Sequence, residues 1–220
     1  MIINRIAIIA GASGLVGSAL TEILLKDDYY SEIIVLSRQS LDISDKRVIN
    51  KVVDYGKIAE MLQGTHADDA YCCLGSTLKK AGSKENQFII DHDYIVNYAN
   101  ECYSSGVKRF AVVSSVGANS KSSNFYLNMK GRMEEELKKC PFESLFILRP
   151  SLLLGKRNEF RFGEEVAKIF MKALNPFMSG KLKKYKGIEA YKVAQAMFNS
   201  CKNSQKGVFI IESEKIPDMS

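Results

Sequence analysis

The chain has 220 residues, of which 46% are hydrophobic and 25% charged, with a formal net charge of +6. That composition suits one globular domain with a full core and excludes disordered and fibrous classes, while the modest positive charge suits anionic cofactors. The five cysteines (Cys72, Cys73, Cys102, Cys140 and Cys201) are odd in number and contain no C-x-x-C, and the two histidines, His66 and His92, make no cluster; neither a disulfide framework nor a metal centre is expected.

Strand-like and helix-like segments alternate along the chain. Residues 5–10 read as a first strand, after which Leu15, Val16, Ala19, Leu20, Ile23 and Leu24 repeat at helical spacing. Strands follow at 32–36 and 48–53, then a short helical piece at 58–62 and a fourth strand at 70–74. A long helix is expected over 84–105, a fifth strand over 107–114, a helix over 124–139 and a sixth strand over 144–148, stopped by Pro150. Helices at 164–173 and 188–201 and a strand at 208–211 close the chain. This order predicts an α/β fold with a doubly wound parallel sheet, in one domain spanning 1–220. Residues 151–187 form a small substrate-side region, with 175–186 as a mobile loop.

The most informative stretch joins the first strand to the first helix. Gly11, Gly14 and Gly17 are spaced G-x-x-G-x-x-G. Gly11 suits the tight turn, Gly14 close approach to a diphosphate, and Gly17 close packing of helix on strand. Ser13 can add a hydroxyl, and the helix start offers unpaired N–H groups to an anion. The second strand ends in Leu36-Ser37-Arg38-Gln39, with no carboxylate for a ribose 2′-hydroxyl. Arg38 can instead pair with a 2′-phosphate, which favours NADP(H) over NAD(H). Asp54 could accept from an adenine amino group, and Leu74-Gly75 lets backbone lie against a ribose.

The fifth strand ends in Ser114-Ser115, and Tyr126 and Lys130 follow four residues apart. Phe125, Met129, Met133 and Leu137 predict the buried stripe of that helix, so Tyr126 and Lys130 share its border and face a cleft. A free phenol titrates near ~10. An ammonium about 5 Å away contributes roughly 3 kcal/mol at an effective dielectric of ~20, which is expected to lower the phenol by on the order of two pH units. Tyr126 could then exchange a proton with a substrate oxygen.

These segments together resemble the short-chain dehydrogenase/reductase superfamily, in the atypical branch that includes the Tat-interactive-protein oxidoreductases. The resemblance is carried by Gly11-Ala12-Ser13-Gly14, Leu36-Ser37-Arg38, Cys72-Cys73-Leu74-Gly75-Ser76-Thr77, Lys121 to Phe125 with Tyr126 and Lys130, and Leu148-Arg149-Pro150 with Leu153-Leu154. It implies a Rossmann fold and NADPH held by Ser13, Gly14, Leu15, Val16, Arg38, Leu74, Gly75, Tyr126 and Lys130, with Leu153 and Arg161 as further contacts. It also implies a Ser-Tyr-Lys site, with Ser115 as its serine and Ser114 as the alternative.

The leading expectation is an NADPH-dependent oxidoreductase acting on a small carbonyl or hydroxyl substrate. An NADP(H)-binding sensor with little turnover and a nucleotide-sugar epimerase or dehydratase relative are the alternatives. A homodimer or a regulatory protein partner is compatible with the sequence. Lys181, Lys183, Lys184 and Lys186 read as a solvated loop, so no nucleic acid is expected. No segment is long enough to insert into a membrane, and no targeting segment is evident, which makes the cytoplasm the expected location.

Overall fold

Successive residues of the first strand point into two different cores. Ala7 and Ile9 pack on one side, Ile8 and Ala10 on the other. Period-2 side chains buried on both faces are what a central strand of a doubly covered sheet requires. The computed structural model describes residues 4–155, 186–203 and 205–220. Its strands are β1 (Ile6–Ala10), β2 (Glu32–Ser37), β3 (Val48–Val52), β4 (Asp69–Cys72), β5 (Arg109–Val113), β6 (Ser144–Arg149), β7 (Leu153–Leu154), β8 (Ile188–Glu189) and β9 (Gly207–Glu212). Seven of them form one sheet in the order β3-β2-β1-β4-β5-β6-β9, with every neighbouring pair parallel. β7 and β8 pair separately.

The helices are α1 (Leu15–Lys26), α2 (Ile58–Leu62), α3 (Leu78–Ala81), α4 (Lys84–Phe88), α5 (Tyr94–Ser104), α6 (Phe125–Leu137) and α7 (Ala190–Lys202). On one face of the sheet, Leu20 and Leu24 of α1 meet Val193 and Met197 of α7. On the other, Leu62 of α2, Tyr98 and Cys102 of α5 and Met133 and Leu137 of α6 form the second core. The strand order reverses between β1 and β4, so the crossovers diverge there and open a crevice at the strands' carboxyl ends.

The glycine turn is built for close approach. Gly11 has φ +82, and a Cβ there would lie 2.7 Å from the Cys73 carbonyl carbon. A Cβ on Gly17 would meet the Gly11 carbonyl oxygen at 2.2 Å. Gly17→Ala must therefore push α1 off the turn. The expected cost is about 1–3 kcal/mol by chemical denaturation, accompanied by weaker NADPH binding in a fluorescence titration.

The helix expected over 84–105 runs from Lys84 to Ser104, with a π-helical turn, Ile89–Asp93, between α4 and α5. One expectation is corrected. The helix over 188–201 begins at Ala190 because Ile188 and Glu189 pair as β8 with Leu153 and Leu154. The helix expected at 164–173, the greater part of the loop at 175–186, and Lys181, Lys183 and Lys184 lie outside the described residues.

Candidate functional site

An open cleft lies in the crevice, at the carboxyl ends of β4, β5 and β6 beside the start of α1. One wall comes from the glycine turn side, where Val16 of α1 reaches the lining. Leu74, Gly75 and Ser76, just beyond β4, line it as well. Tyr126 and Lys130 of α6 form the opposite wall, and Pro150 and Leu153 close one end. Six residues from distant parts of the sequence reading (Val16, Leu74, Gly75, Tyr126, Lys130 and Leu153) thus meet in one space.

The start of α1 suits an anion. No side chain caps Gly14 at its N-terminus, and no acidic residue stands in its first turn. The first N–H groups of a helix have no intrahelical partner, so this end offers donors and a partial positive charge. The Gly11 N–H is already donated to the Tyr55 hydroxyl at 3.2 Å, and Tyr55 donates in turn to the Leu36 carbonyl at 3.0 Å. Gly11 therefore shapes the turn, and Tyr55 fastens it to the end of β2. Leu15 packs so tightly beside Gly155 that a Cβ there would lie 2.5 Å from Leu15 Cδ1.

Further along the crevice, Arg38 is exposed just past β2. Asp54 is exposed past β3, where its carboxylate accepts from the Gly56 N–H at 2.9 Å and caps a 3₁₀ turn. Neither residue lines the cleft; both lie where β2 and β3 end. Arg161 lies outside the described residues.

The polar wall comes from one stripe of α6. Tyr126, Lys130 and Glu134 repeat every four residues, one position along from Met129, Met133 and Leu137. Lys130 and Glu134 are both buried, so the face of α6 turned to the protein is wider than the apolar stripe alone. Buried ions need partners. Lys130 Nζ is 3.4 Å from Asp91 Oδ1, and both side chains are almost fully buried. The other Asp91 oxygen accepts from the Ser76 N–H at 2.8 Å. Glu134 accepts from Ser114 Oγ at 2.5 Å and takes Arg149 in a two-pronged pair at 3.0 and 2.6 Å. Arg149 also reaches Glu212 at 2.8 Å.

The two serines therefore differ. Ser114 borders the cleft, but its hydroxyl is committed to Glu134. The buried Ser115 hydroxyl donates to the Val116 carbonyl at 3.4 Å and lies close enough to Tyr126 to favour its charged form.

The expected lowering of the Tyr126 phenol does not hold in the protein without cofactor. Burial raises it above its ordinary value; Lys130 and the nearby Ser115 hydroxyl pull the other way, while Asp91 adds to the rise. The Lys130 ammonium, despite burial, is held above its ordinary value by Asp91 and Tyr126. Isolated ammonium–phenol arithmetic misses both the desolvation and the counter-ion.

Asp91, Glu134 and Tyr55 escape the sequence reading. A signal for Asp91 existed: it stands four residues before Ile95 on the stripe that continues through Tyr98, Ala99 and Cys102. A carboxylate on an otherwise apolar stripe points to a buried ion pair.

Residues 11–203 match a family described as NAD(P)H-binding. The chain belongs to that family. It is 34% identical over 176 residues to Protein HTATIP2 of Rattus norvegicus, covering 78% of this chain and 72% of that protein. It is 33% identical over 213 residues to the protein fmp52, mitochondrial, of Emericella nidulans, covering 94% and 91%. Its fold matches the Bordetella bronchiseptica enzyme WbmG in complex with NAD at a TM-score of 0.69 and 15% identity, over 98% of this chain and 76% of that one. A Rossmann-like α/β fold and a nicotinamide dinucleotide as cofactor follow for this NAD(P)H-binding chain.

The cytoplasmic expectation is corrected by these relatives. It rested on the lack of an apolar leader, yet fungal relatives covering most of the chain are named mitochondrial. Mitochondrial transit sequences are amphipathic, so the lack of an apolar leader does not bear on them. Among the described residues no helix is long and apolar enough to cross a membrane, and no group of His, Cys, Asp and Glu could hold a metal.

Proposed function

We propose that this protein is an NADPH-dependent oxidoreductase that transfers a hydride between the cofactor and a small carbonyl or hydroxyl compound. The observation that carries this reading is the meeting of Tyr126 and Lys130 on one wall of a cleft that Val16, in the first turn of the uncapped α1, also lines. The cofactor, when bound, supplies the hydride; the chain's residues bind, orient and move the proton. The turn from Gly11 through Ser13 and Gly14 to Gly17, with the first N–H groups of α1 at Leu15 and Val16, holds the diphosphate. The backbone at Leu74 and Gly75 supports the adenosine ribose, and Leu153 closes the nicotinamide end. Tyr126 is the acid/base. Lys130 stabilises its charged form and holds the nicotinamide ribose, and Ser115 orients the substrate oxygen.

The reading is tested by NADPH oxidation against a panel of aldehydes, ketones and quinones. Turnover on at least one substrate class is expected, whereas firm NADPH binding with no turnover on any would overturn it in favour of a cofactor sensor.

Cofactor choice rests on Arg38, placed past β2 with no nearby carboxylate to bind a 2′-hydroxyl. A charge-assisted pair with phosphate is worth about 1.5–3 kcal/mol. Arg38→Ala is therefore expected to reduce NADPH affinity at least tenfold and leave NADH affinity within twofold, measured by calorimetric titration of both. An unchanged ratio would remove Arg38 from the site.

A further inference from the structure

Lys130 does not face Tyr126 as a lone cation. It is buried between the phenol one helical turn before it and the Asp91 carboxylate 3.4 Å away. Asp91 comes from a different element, the π-helical turn within the long helix. Such turns recur at functional sites because the extra residue redirects a side chain. The surroundings hold this carboxylate in place: the Ser76 N–H donates to Oδ2, and Gly75 leaves room for it, since a Cβ there would lie 3.2 Å from Oδ1. From β4, the Cys72 thiol also lies near the pair, pushed by burial up to about 12 and so neutral. From the end of β5, the Ser115 hydroxyl, which donates to the Val116 carbonyl, bears on Tyr126 as a neutral dipole, while Ser114 is taken by Glu134. The charges bearing on the phenol are thus Lys130 and Asp91, and they are of opposite sign.

We propose that Asp91 biases this site toward carbonyl reduction at neutral pH: as counter-ion to Lys130 it keeps the proton on Tyr126, which can then donate but not abstract. The proposal rests on the oxidoreductase reading above and adds a direction to it. In the favoured step the carbonyl carbon gains a hydride with its electron pair, and the C=O π pair moves onto oxygen. That oxygen takes the phenolic proton of Tyr126. The substrate is reduced by two electrons, the dihydronicotinamide is oxidised by two, and water returns a proton to the tyrosinate. The reverse step needs the phenolate first and so belongs to alkaline pH. Lys130 is needed in both directions, to stabilise the tyrosinate once formed. Burial already disfavours the tyrosinate, and Asp91 weakens the opposing pull of Lys130, so the resting group stays neutral.

The test is a titration of the cofactor-free protein labelled with ¹³Cζ-tyrosine, with the Tyr126 resonance assigned by its loss in Tyr126→Phe. Asp91→Asn keeps the size and the Ser76 contact but removes the charge. Its Tyr126 midpoint is expected at least one pH unit below wild type, a tenfold rise in phenolate at a given pH. The same variant should extend hydroxyl oxidation to lower pH. A midpoint unchanged or higher in Asp91→Asn would overturn the role of Asp91. Wild type alone provides a second check, independent of whether the variant folds: the proposal requires a Tyr126 midpoint at or above the ordinary ~10, and any midpoint below it overturns the proposal. The titration requires neither cofactor nor substrate. A substrate panel without turnover would defeat the oxidoreductase reading, whereas the titration decides what Asp91 does to the phenol.

Discussion

Tyr126→Phe is expected to cut carbonyl reduction by two to four orders of magnitude, the usual worth of a positioned acid or base. The substitution removes one oxygen from a half-buried ring on the cleft wall and leaves the α6 stripe otherwise intact. NADPH affinity should fall only severalfold, because the proposed diphosphate site lies across the crevice at the start of α1. Wild-type activity should itself fall as pH rises past the Tyr126 midpoint. The folded-state value is raised above the free one by burial, so the phenol stays protonated through neutral pH and loses its proton only above the ordinary tyrosine range. The measurement is kcat and KM for the best substrate in each protein, with NADPH affinity determined separately. Loss of affinity matching the loss of rate would assign Tyr126 to binding instead of proton transfer.

The second large effect concerns stability. Arg149→Met should destabilise the protein by about 3 kcal/mol in urea, because it strips the two-pronged partner from a buried Glu134 and leaves it only Ser114. Glu212→Gln is the control: its carboxylate is 37% exposed, and losing this second partner of Arg149 should cost less than about 1 kcal/mol. Replacing Glu134 by leucine together with Arg149→Met should restore most of the loss, since the desolvated charge then disappears with its partner. The clamp joins α6 to the ends of β5, β6 and β9, so loosening it should also misplace Ser115 and raise KM more than it lowers cofactor affinity. A loss below about 1 kcal/mol for Arg149→Met would show that water reaches Glu134.

Much of this arrangement is legible in the residue order because it depends on local rules. Apolar runs mark the central strands, buried on both faces, and their alternation with helices points to a parallel, doubly wound sheet. The three glycines announce the turn, and the four-residue spacing of Tyr126 and Lys130 places both on one side of α6. What is not legible depends on which distant groups meet. The π-helical turn shifts Asp91 against Lys130, a contact spanning 39 residues, and burial of the phenol, with Asp91 adding to it, reverses the expected direction of its shift. Ser114 and Ser115 are neighbours in sequence, yet only the fold shows one hydroxyl held by Glu134 and the other turned to the Val116 carbonyl. The use of the Gly11 N–H by Tyr55 is a similar case: no motif at either residue signals it. Substrate choice is harder still, because much of the region after Pro150 lies outside the described residues.

The most direct test is a crystal structure of the wild-type protein with NADP⁺. The diphosphate should lie on the first turn of α1, the 2′-phosphate against Arg38, and the nicotinamide ribose within hydrogen-bonding reach of Tyr126 and Lys130. A nucleotide seated with its nicotinamide away from that pair, or one that leaves the glycine turn untouched, would contradict the whole assignment.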